Sequence, residues 1–217
     1  PEETMAQTTH YFVESIHRRD NHLSVGFLGI SHLLPALTKC GQSELAFALL
    51  EQKGNPGWLY SVIMCTTIWE RWNSYIAETG TFGDVSMNSF NHYAYGSIGQ
   101  WLYRTVLGIQ TGENADEAGY HKIFLTPSWG GTLTYAKGEQ ETPFGKIASS
   151  WEKKDNSIVY HCTIPANTTA HLTLPASGHN SVQILEGAAI TDTAAVSGVA
   201  DFELVSGSYT FKIINYS

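Results

Sequence analysis

Hydrophobic positions recur with a helical period in the first half of this chain. Up to about residue 108, apolar side chains follow three- and four-residue spacings, as at Phe12, Val13 and Ile16. Such spacing places them on one face of a helix. The pattern predicts helices over residues 1–19, 29–39, 44–52, 67–78 and 91–107. Gly41 suits the position just after a helix, and Ser43 suits an N-cap. Antiparallel helices joined by loops of varied length are typical of a helical barrel or bundle.

In the second half the hydrophobic period changes to two. Tyr209, Phe211 and Ile213 would share one face of a strand, and Pro, Gly and Asn separate the short apolar runs. This pattern is typical of an antiparallel β-sandwich. It predicts strands over residues 121–125, 133–136, 147–151, 158–164, 170–174, 182–185, 202–205 and 209–214. The polar, Gly-bearing stretch 109–119 is interpreted as a linker, which gives a helical domain at 1–108 and a sandwich at 120–217.

Composition narrows the possible partners. The 217 residues carry a net charge of −8 and are 42% hydrophobic. A negative charge argues against nucleic acid, which requires a basic surface, and against anionic membranes. No stretch approaches the roughly 20 apolar residues of a membrane span, so no membrane insertion is expected. These features favour a soluble protein with a small or neutral ligand.

Known cofactor motifs do not occur in the sequence. It has no phosphate loop, nucleophile elbow, HExxH or paired-cysteine zinc motif. We therefore expect no cofactor and no metal. The three cysteines are expected to be reduced and mostly buried. The chain begins without Met, on what reads as a helix already under way, so we expect it to be the C-terminal part of a longer protein. Its compartment stays undecided.

The candidate chemistry centres on Glu70, which lies between Trp69 and Trp72. Tryptophan faces can stack on a pyranose ring, and a carboxylate can activate water at the anomeric carbon. An alternative fits by spacing alone: Thr67 and Glu70 could form a capping box at a helix start. The flanking tryptophans and Arg71 favour a sugar site, because a cap needs none of them.

Other candidates have strong structural alternatives. His92 follows the Gly/Ser/Asn-rich stretch 80–89, which could bring it near Glu70, but most single histidines are structural. His22 is a weaker candidate of the same kind. Trp58 could be a sugar platform, although core packing describes such a residue more often. Asp84 and Glu78, the nearest other acids, are interpreted as parts of a solvated surface.

Four motifs together carry a resemblance to a known family. They are the stretches at 22–29, 56–60, 66–72 (TTIWERW) and 89–97 (SFNHYAYGS), and they occur in the expected order. The chain resembles the bacterial α-L-rhamnosidases of glycoside hydrolase family 78. Segments 131–137, 142–147 and 164–168 are similar to the β-sandwich that closes those enzymes. One departure is Met64-Cys65, where small residues are expected.

The resemblance implies a partial (α/α)6 catalytic barrel followed by the β-sandwich, and hydrolysis that inverts the anomeric centre. It implies that Glu70 is the general base and that His92 lies in the rhamnose subsite, with Trp69, Trp72, Trp58 and His22 as further substrate-binding candidates. It also implies that the general acid lies upstream of this chain. The expected partner is a rhamnose-containing glycoside or polysaccharide.

Two functional classes stay open. The first is the C-terminal portion of a rhamnosidase, inactive alone because it lacks the general acid. The second is a non-catalytic carbohydrate-binding or structural module. Because 108 residues hold fewer helices than a complete barrel requires, we expect exposed apolar inner faces, covered by another segment or by a second copy in a homo-oligomer.

Overall fold

A computed structural model describes residues 2–112, 114–115, 117–176, 181–187, 190–192 and 198–214. The chain divides into two compact units. The first is Pro1–Trp101 together with Gly130–Thr132, and the second is Leu102–Trp129 together with Leu133–Ser217. The short segment 130–132 belongs to the first unit, because the Glu51 carboxylate accepts hydrogen bonds from the Thr132 N–H (2.8 Å) and hydroxyl (3.0 Å).

The first unit is helical, with α1 at Glu2–His17, α2 at Phe27–Lys39, α3 at Ser43–Leu50 and α4 at Trp58–Met64. The first three confirm the predicted helices. The interior is built from the apolar faces of α2 and α3, including Leu34, Leu37 and Phe47. Gly41 follows α2 with φ +73°, as predicted for a helix end. Ser43 is not an N-cap: it is the first residue of α3, and Gln42 precedes it without a side-chain cap.

The helix predicted over 67–78 is wrong. Residues 65–74 form irregular backbone. A hairpin with strands of two residues each follows, in which β1 at Tyr75–Ile76 pairs with β2 at Thr81–Phe82. The N–H groups that a helix would use internally have other partners: the N–H of Glu70 donates to the Ser89 carbonyl and that of Arg71 to the Ser74 hydroxyl. Tertiary contacts here override a helical spacing. The helix α4, which begins after Gly57, was not predicted.

The long helix predicted over 91–107 starts later and is not uniform. A 3₁₀ turn at Ala94–Ser97 leads into α5 at Ile98–Trp101, and a π-helical turn at Leu102–Val106 opens the second unit. Residues 91–93 stay outside the helix, because the N–H of His92 donates to the carbonyl of Ile68. Within the described residues, no helix is long and apolar enough to cross a membrane.

Large apolar side chains are exposed across the first unit. Leu28, Val85 and Tyr93 are more than four-fifths exposed, at 81%, 90% and 88%. Only Leu28 of the three lies on a helix, so the expectation of uncovered inner helix faces stays a prediction. Whether a second copy covers them in a homo-oligomer stays a prediction.

The second unit is a β-sandwich of two five-stranded sheets. One sheet has the order β5-β6-β7-β12-β9, and the other β10-β11-β8-β4-β3. The strands are β3 at Ile109–Thr111, β4 at Lys122–Leu125, β5 at Tyr135–Thr142, β6 at Gly145–Lys154, β7 at Ser157–Ile164, β8 at Thr169–Pro175, β9 at Val182–Glu186, β10 at Ile190–Asp192, β11 at Val199–Leu204 and β12 at Gly207–Ile214. All pairings are antiparallel except β4 with β8. Phe202 of β11 contacts Phe211 of β12 across the core, with ring centroids 5.2 Å apart.

Every predicted strand overlaps an observed one, although β5 covers Tyr135–Thr142 and not 133–136, and β10 was not predicted. The predicted linker is wrong in part. Residues Ile109–Thr111 form β3, an edge strand that pairs with β4. Ile109 is buried, so this segment belongs to the sandwich. The polar composition of 109–119 did not indicate this strand, because an edge strand can be held in the sheet by a single buried apolar residue. Residues 113 and 116 of that stretch lie outside the described residues.

A glycine at the start of the second unit gives a stability prediction. Gly108 has φ +74°, and a Cβ there would meet the backbone of Thr126 and Pro127, with Pro127 Cα 2.7 Å away. Gly119 has nearly the same φ, +78°, with nothing near its Cβ position. Both Ala variants incur the cost of a left-handed residue, about 1–2 kcal/mol. We expect Gly108→Ala to lose about 1–3 kcal/mol more, because backbone cannot move aside. Denaturant unfolding of both variants measures the difference, and equal losses would contradict it.

Candidate active site

Backbone hydrogen bonds join the two sequence motifs that contain Glu70 and His92. The carbonyl of Ile68 accepts from the N–H of His92 at 2.8 Å, and the N–H of Glu70 donates to the carbonyl of Ser89 at 2.9 Å. These bonds hold segment 68–70 beside segment 89–92. Two stretches that lie about twenty residues apart in the sequence therefore form one local structure.

The Glu70 side chain does not cap a helix. Its Oε2 accepts a hydrogen bond of 2.7 Å from the N–H of Ser89, on the neighbouring segment. Oε1 has no hydrogen-bond or ion-pair partner among the described residues. A carboxylate with one oxygen anchored by a backbone N–H keeps its orientation, and the second oxygen stays available to accept a proton. The capping-box alternative is wrong, because no helix follows Thr67.

Glu70 lines a cavity of about 490 Å³, a size typical of small-molecule sites. The cavity is bounded by residues from four stretches of the first unit: Gly26 and Phe27, then Glu70, Arg71, Trp72 and Asn73, then Asp84, Ser86 and Met87, and finally Tyr95. Apolar rings and charged groups thus face the same space, as a site that holds a sugar requires.

Trp72 forms the aromatic wall of this cavity. Its ring stacks on Tyr95 with centroids 3.7 Å apart and planes 6° apart, and its indole N–H donates to the Val25 carbonyl at 2.8 Å. Trp58 packs edge-on against Trp72 at 5.5 Å. Burial raises the pKa of Tyr95, partly opposed by the charge of Arg71, so this hydroxyl keeps its proton at neutral pH. The stacked pair is a rigid surface, because both rings are fixed by hydrogen bonds or packing.

Asp84 is a second carboxylate in the cavity lining. It is exposed, as the sequence interpretation expected, but its place in this lining was not predicted. Its Oδ1 accepts from the Ser86 N–H at 2.9 Å and from the Ser86 hydroxyl at 2.8 Å. These bonds, with a smaller contribution from Arg71, lower its pKa below the ordinary value of 3.8. Asp84 is therefore ionised at neutral pH. A group that must donate a proton needs the opposite shift.

The other predicted site residues lie at different distances from the cavity. His92 is half-buried and does not line it, but its ring contacts Phe27, which does, with centroids 6.3 Å apart. Trp69 is 2% exposed and packs edge-on against Phe90. Trp58 is 4% exposed, and its indole N–H donates to the Tyr95 carbonyl. Their roles in substrate binding stay predictions.

His22 is not brought to the Glu70 cavity. Its Nδ1 lies 3.1 Å from the Arg19 carbonyl and 3.0 Å from that of Asp20, and Nε2 faces Gly54. A Cβ on Gly54 would lie 2.6 Å from Nε2. The structure therefore gives His22 a role in packing the 52–57 loop, and a role in binding substrate stays a prediction.

The lining residues that the sequence analysis did not propose as site residues are Phe27, Asn73, Asp84, Ser86, Met87 and Tyr95. For Asp84 one local signal exists, since Asp followed two residues later by Ser favours a side-chain-to-backbone turn. That signal predicts a turn at Asp84, but it does not predict that Asp84 lines the cavity. Among the described residues, no group of three His, Cys, Asp or Glu side chains could hold a metal ion.

Cys65 lies just before the loop that contains Glu70, at the position where the family resemblance leads one to expect a small residue. Hydrogen bonding from Thr67, first from its hydroxyl at 3.4 Å, lowers the Cys65 pKa to about 7. The Trp69 indole N–H is the second cause, although its approach to the sulfur lacks ordinary hydrogen-bond geometry. Burial raises the pKa of Cys162 to about 12. The two thiols should therefore differ in reactivity.

We expect iodoacetamide to alkylate Cys65 at neutral pH and to leave Cys162 unmodified in the folded chain. A lowered pKa means that the thiolate is present above about pH 7 and lost below it, so the rate should fall as the pH drops through that value. Peptide mass spectrometry across pH 5–9 reads both sites. Thr67→Val removes the hydroxyl and should move the midpoint upward, and Thr67→Ser should not. An unchanged midpoint in Thr67→Val would contradict the assigned cause.

Comparison with known proteins identifies relatives along the chain. A family model described as the bacterial alpha-L-rhamnosidase 6 hairpin glycosidase domain matches residues 1–106, and one described as the bacterial alpha-L-rhamnosidase C-terminal domain matches residues 108–189. These matches confirm the predicted fold class, a helical portion of a six-hairpin barrel followed by a β-sandwich.

Individual relatives agree with the family models. An alpha-L-rhamnosidase of Streptomyces avermitilis is 41% identical over 202 residues, which are 93% of this chain and 19% of that protein. One from Formosa agariphila is 40% identical over 184 residues, 84% of this chain and 19% of that protein. A crystal structure of the Streptomyces avermitilis alpha-L-rhamnosidase complexed with L-rhamnose matches with a TM-score of 0.89 and 38% identity, covering 98% of this chain and 20% of that one. The chain spans about a fifth of the length of these relatives.

Proposed function

Because this chain belongs to the bacterial α-L-rhamnosidase family, we propose that it forms the C-terminal portion of an enzyme that hydrolyses terminal α-L-rhamnosyl residues with inversion. In this proposal Glu70 is the general base. The substrate is a rhamnose-containing glycoside or polysaccharide, by analogy with relatives named alpha-L-rhamnosidase.

The observation that carries the proposal is the state of the Glu70 carboxylate. Its Oε2 is anchored by the Ser89 N–H, and its Oε1 has no partner among the described residues. Both belong to a residue that lines a cavity with a stacked Trp72–Tyr95 wall. A water held at Oε1 would lose a proton to it while attacking the anomeric carbon of a sugar packed on that wall.

The second carboxyl of the mechanism must come from outside the described lining. An inverting hydrolase needs an acid that protonates the leaving oxygen, roughly 6.5–9.5 Å from the base. Asp84 is a poor acid, because its hydrogen bonds from Ser86 lower its pKa. Asp84 instead supplies a fixed negative charge that helps Arg71 and Glu70 define the polarity of the cavity.

Product stereochemistry tests inversion. The parent enzyme is given an aryl α-L-rhamnoside, and the first-formed rhamnose is followed by proton NMR before mutarotation. The β-anomer is expected, because water attacks from the face opposite the leaving group. Initial release of the α-anomer would contradict the proposal and point to a two-step mechanism. A non-catalytic module is the alternative, and it predicts no release by the parent.

A further inference from the structure

The second unit has a cavity of its own, on the outer face of the sheet β5-β6-β7-β12-β9. Its volume is about 240 Å³. Side chains from three adjacent strands line it, together with Ala136 and Trp151: Tyr135, Lys137, Ser150, Glu152 and His161. Sites for drug-sized ligands are larger, about 300–1,000 Å³. The smaller volume of this cavity suits a single sugar ring.

Strand register makes the polar side chains into a continuous row. Lys137 is opposite Ser150, Ser150 opposite His161, His161 opposite Thr210, and Thr210 opposite Glu186. Because side chains alternate between the faces of a sheet, these five share the outer face, while their neighbours Trp151 and Tyr160 are buried on the inner one. The row crosses all five strands of this sheet.

Hydrogen bonds along the row orient the His161 ring. The Thr210 hydroxyl lies 2.9 Å from His161 Nδ1 and 3.3 Å from Glu186 Oε2. The other ring nitrogen, Nε2, has no hydrogen-bond partner among the described residues. Whichever nitrogen carries the proton, Nε2 can donate to or accept from a ligand hydroxyl, because a hydroxyl does both.

Tyr135 supplies an apolar face beside these polar groups. It lies on the edge strand β5 and is 68% exposed, although it lines the cavity. An exposed aromatic ring next to fixed hydrogen-bonding groups is the pair of features that a pyranose uses, through its C–H face and its hydroxyls.

The charges around the cavity favour a neutral ligand. The lining contains one cation, Lys137, and one anion, Glu152, and the latter pairs with Lys154 at 2.9 Å. An anionic ligand would meet Glu152, and a cation would meet Lys137. Hydroxyl groups can satisfy both, because each hydroxyl donates and accepts.

We propose that this cavity binds one pyranose ring of a neutral glycan, with Tyr135 as the stacking surface and His161, Ser150 and Lys137 as hydrogen-bonding groups. This site needs no catalysis at Glu70, because every residue in it belongs to the second unit. It would hold the chain on a glycan substrate.

The test is a titration of the 217-residue chain by two-dimensional amide NMR. The probes are methyl α-L-rhamnoside, methyl α-D-glucoside and methyl α-D-mannoside, with glucuronate as an anionic comparison. We expect at least one neutral glycoside to shift the amides of residues 135–137, 150–152 and 161 with millimolar affinity. Shifts at residues 68–70 report the Glu70 cavity separately, so each proposal can fail alone.

Variants locate the binding. Tyr135→Ala should weaken binding roughly threefold to tenfold, the value of an aromatic contact. Tyr11→Ala, which removes another exposed ring, on α1, should not. Thr210→Val breaks the chain that orients His161 and should weaken binding, while Thr210→Ser should retain it. The proposal is overturned if no neutral glycoside shifts these amides, if only glucuronate does, or if Tyr135→Ala binds like the unaltered chain.

Discussion

In the full-length parent, Glu70→Gln is expected to lower kcat for an aryl α-L-rhamnoside by about 10²–10⁴-fold, the usual contribution of a general base. Gln keeps an oxygen that can accept the Ser89 N–H, which now contacts Oε2 at 2.7 Å. The fold of the loop should therefore persist while the proton acceptor is lost. KM should change little, because the Trp72–Tyr95 wall is not altered.

Glu44→Gln is the matched control. Glu44 is an exposed acid in the first turn of α3 and does not line the cavity. This variant should keep near-normal kcat. If Glu70→Gln does the same, Glu70 has no part in the mechanism.

Azide distinguishes a lost base from a lost acid. In Glu70→Ala, azide can attack without a proton acceptor, so it should restore turnover and give the β-L-rhamnosyl azide. Substrates with better leaving groups should not restore it, because the acid step is intact. The reverse pattern, rescue by leaving group alone, would assign Glu70 as the acid.

The second large effect is expected from the 217-residue chain by itself, which should not hydrolyse an aryl α-L-rhamnoside above background. Inverting hydrolysis requires both an acid and a base. The described cavity lining contains two carboxylates, Glu70 and Asp84. The lowered pKa of Asp84 leaves it ionised at any pH above its ordinary 3.8, so it cannot hold the proton that the leaving oxygen needs. The loss of either partner costs about 10²–10⁴-fold.

The parent assayed at the same concentration is the positive control, and a folded state of the chain is verified by its amide dispersion. Turnover by the chain that disappears in Asp84→Asn would assign the acid to Asp84 and overturn this prediction. Turnover that survives Asp84→Asn would overturn it as well, because it would require an acid outside the described lining but within the chain.

Local sequence patterns determined much of the fold. The period-two runs predicted most of β7 and β12 and the centre of β6, because alternation of buried and exposed positions is a local property of a strand. Helices α1 to α3 followed from apolar spacing for the same reason. The four motifs at 22–29, 56–60, 66–72 and 89–97 together also identified the family, since four separate motifs in one order seldom coincide.

The same patterns misjudged elements whose conformation depends on distant partners. Residues 67–78 have helical spacing, but the N–H of Glu70 bonds to Ser89. No feature of residues 67–78 predicts that Ser89 is the hydrogen-bond partner. The strand β3 is similar: its polar sequence is stable as a strand only because β4 pairs with it.

The sequence by itself thus determined that the chain has a helical part and a β-sandwich, and it led to the prediction that the chemistry centres on Glu70 and His92. Only the tertiary structure decided that Glu70 is oriented by Ser89, that Asp84 shares its cavity, and that Trp72 forms the wall while Trp58 packs behind it. The physical reason is that hydrogen-bond partners and cavity walls are set by chain segments far apart in sequence. The hydrophobic periodicity of a segment predicts only its own secondary structure and the face that it buries.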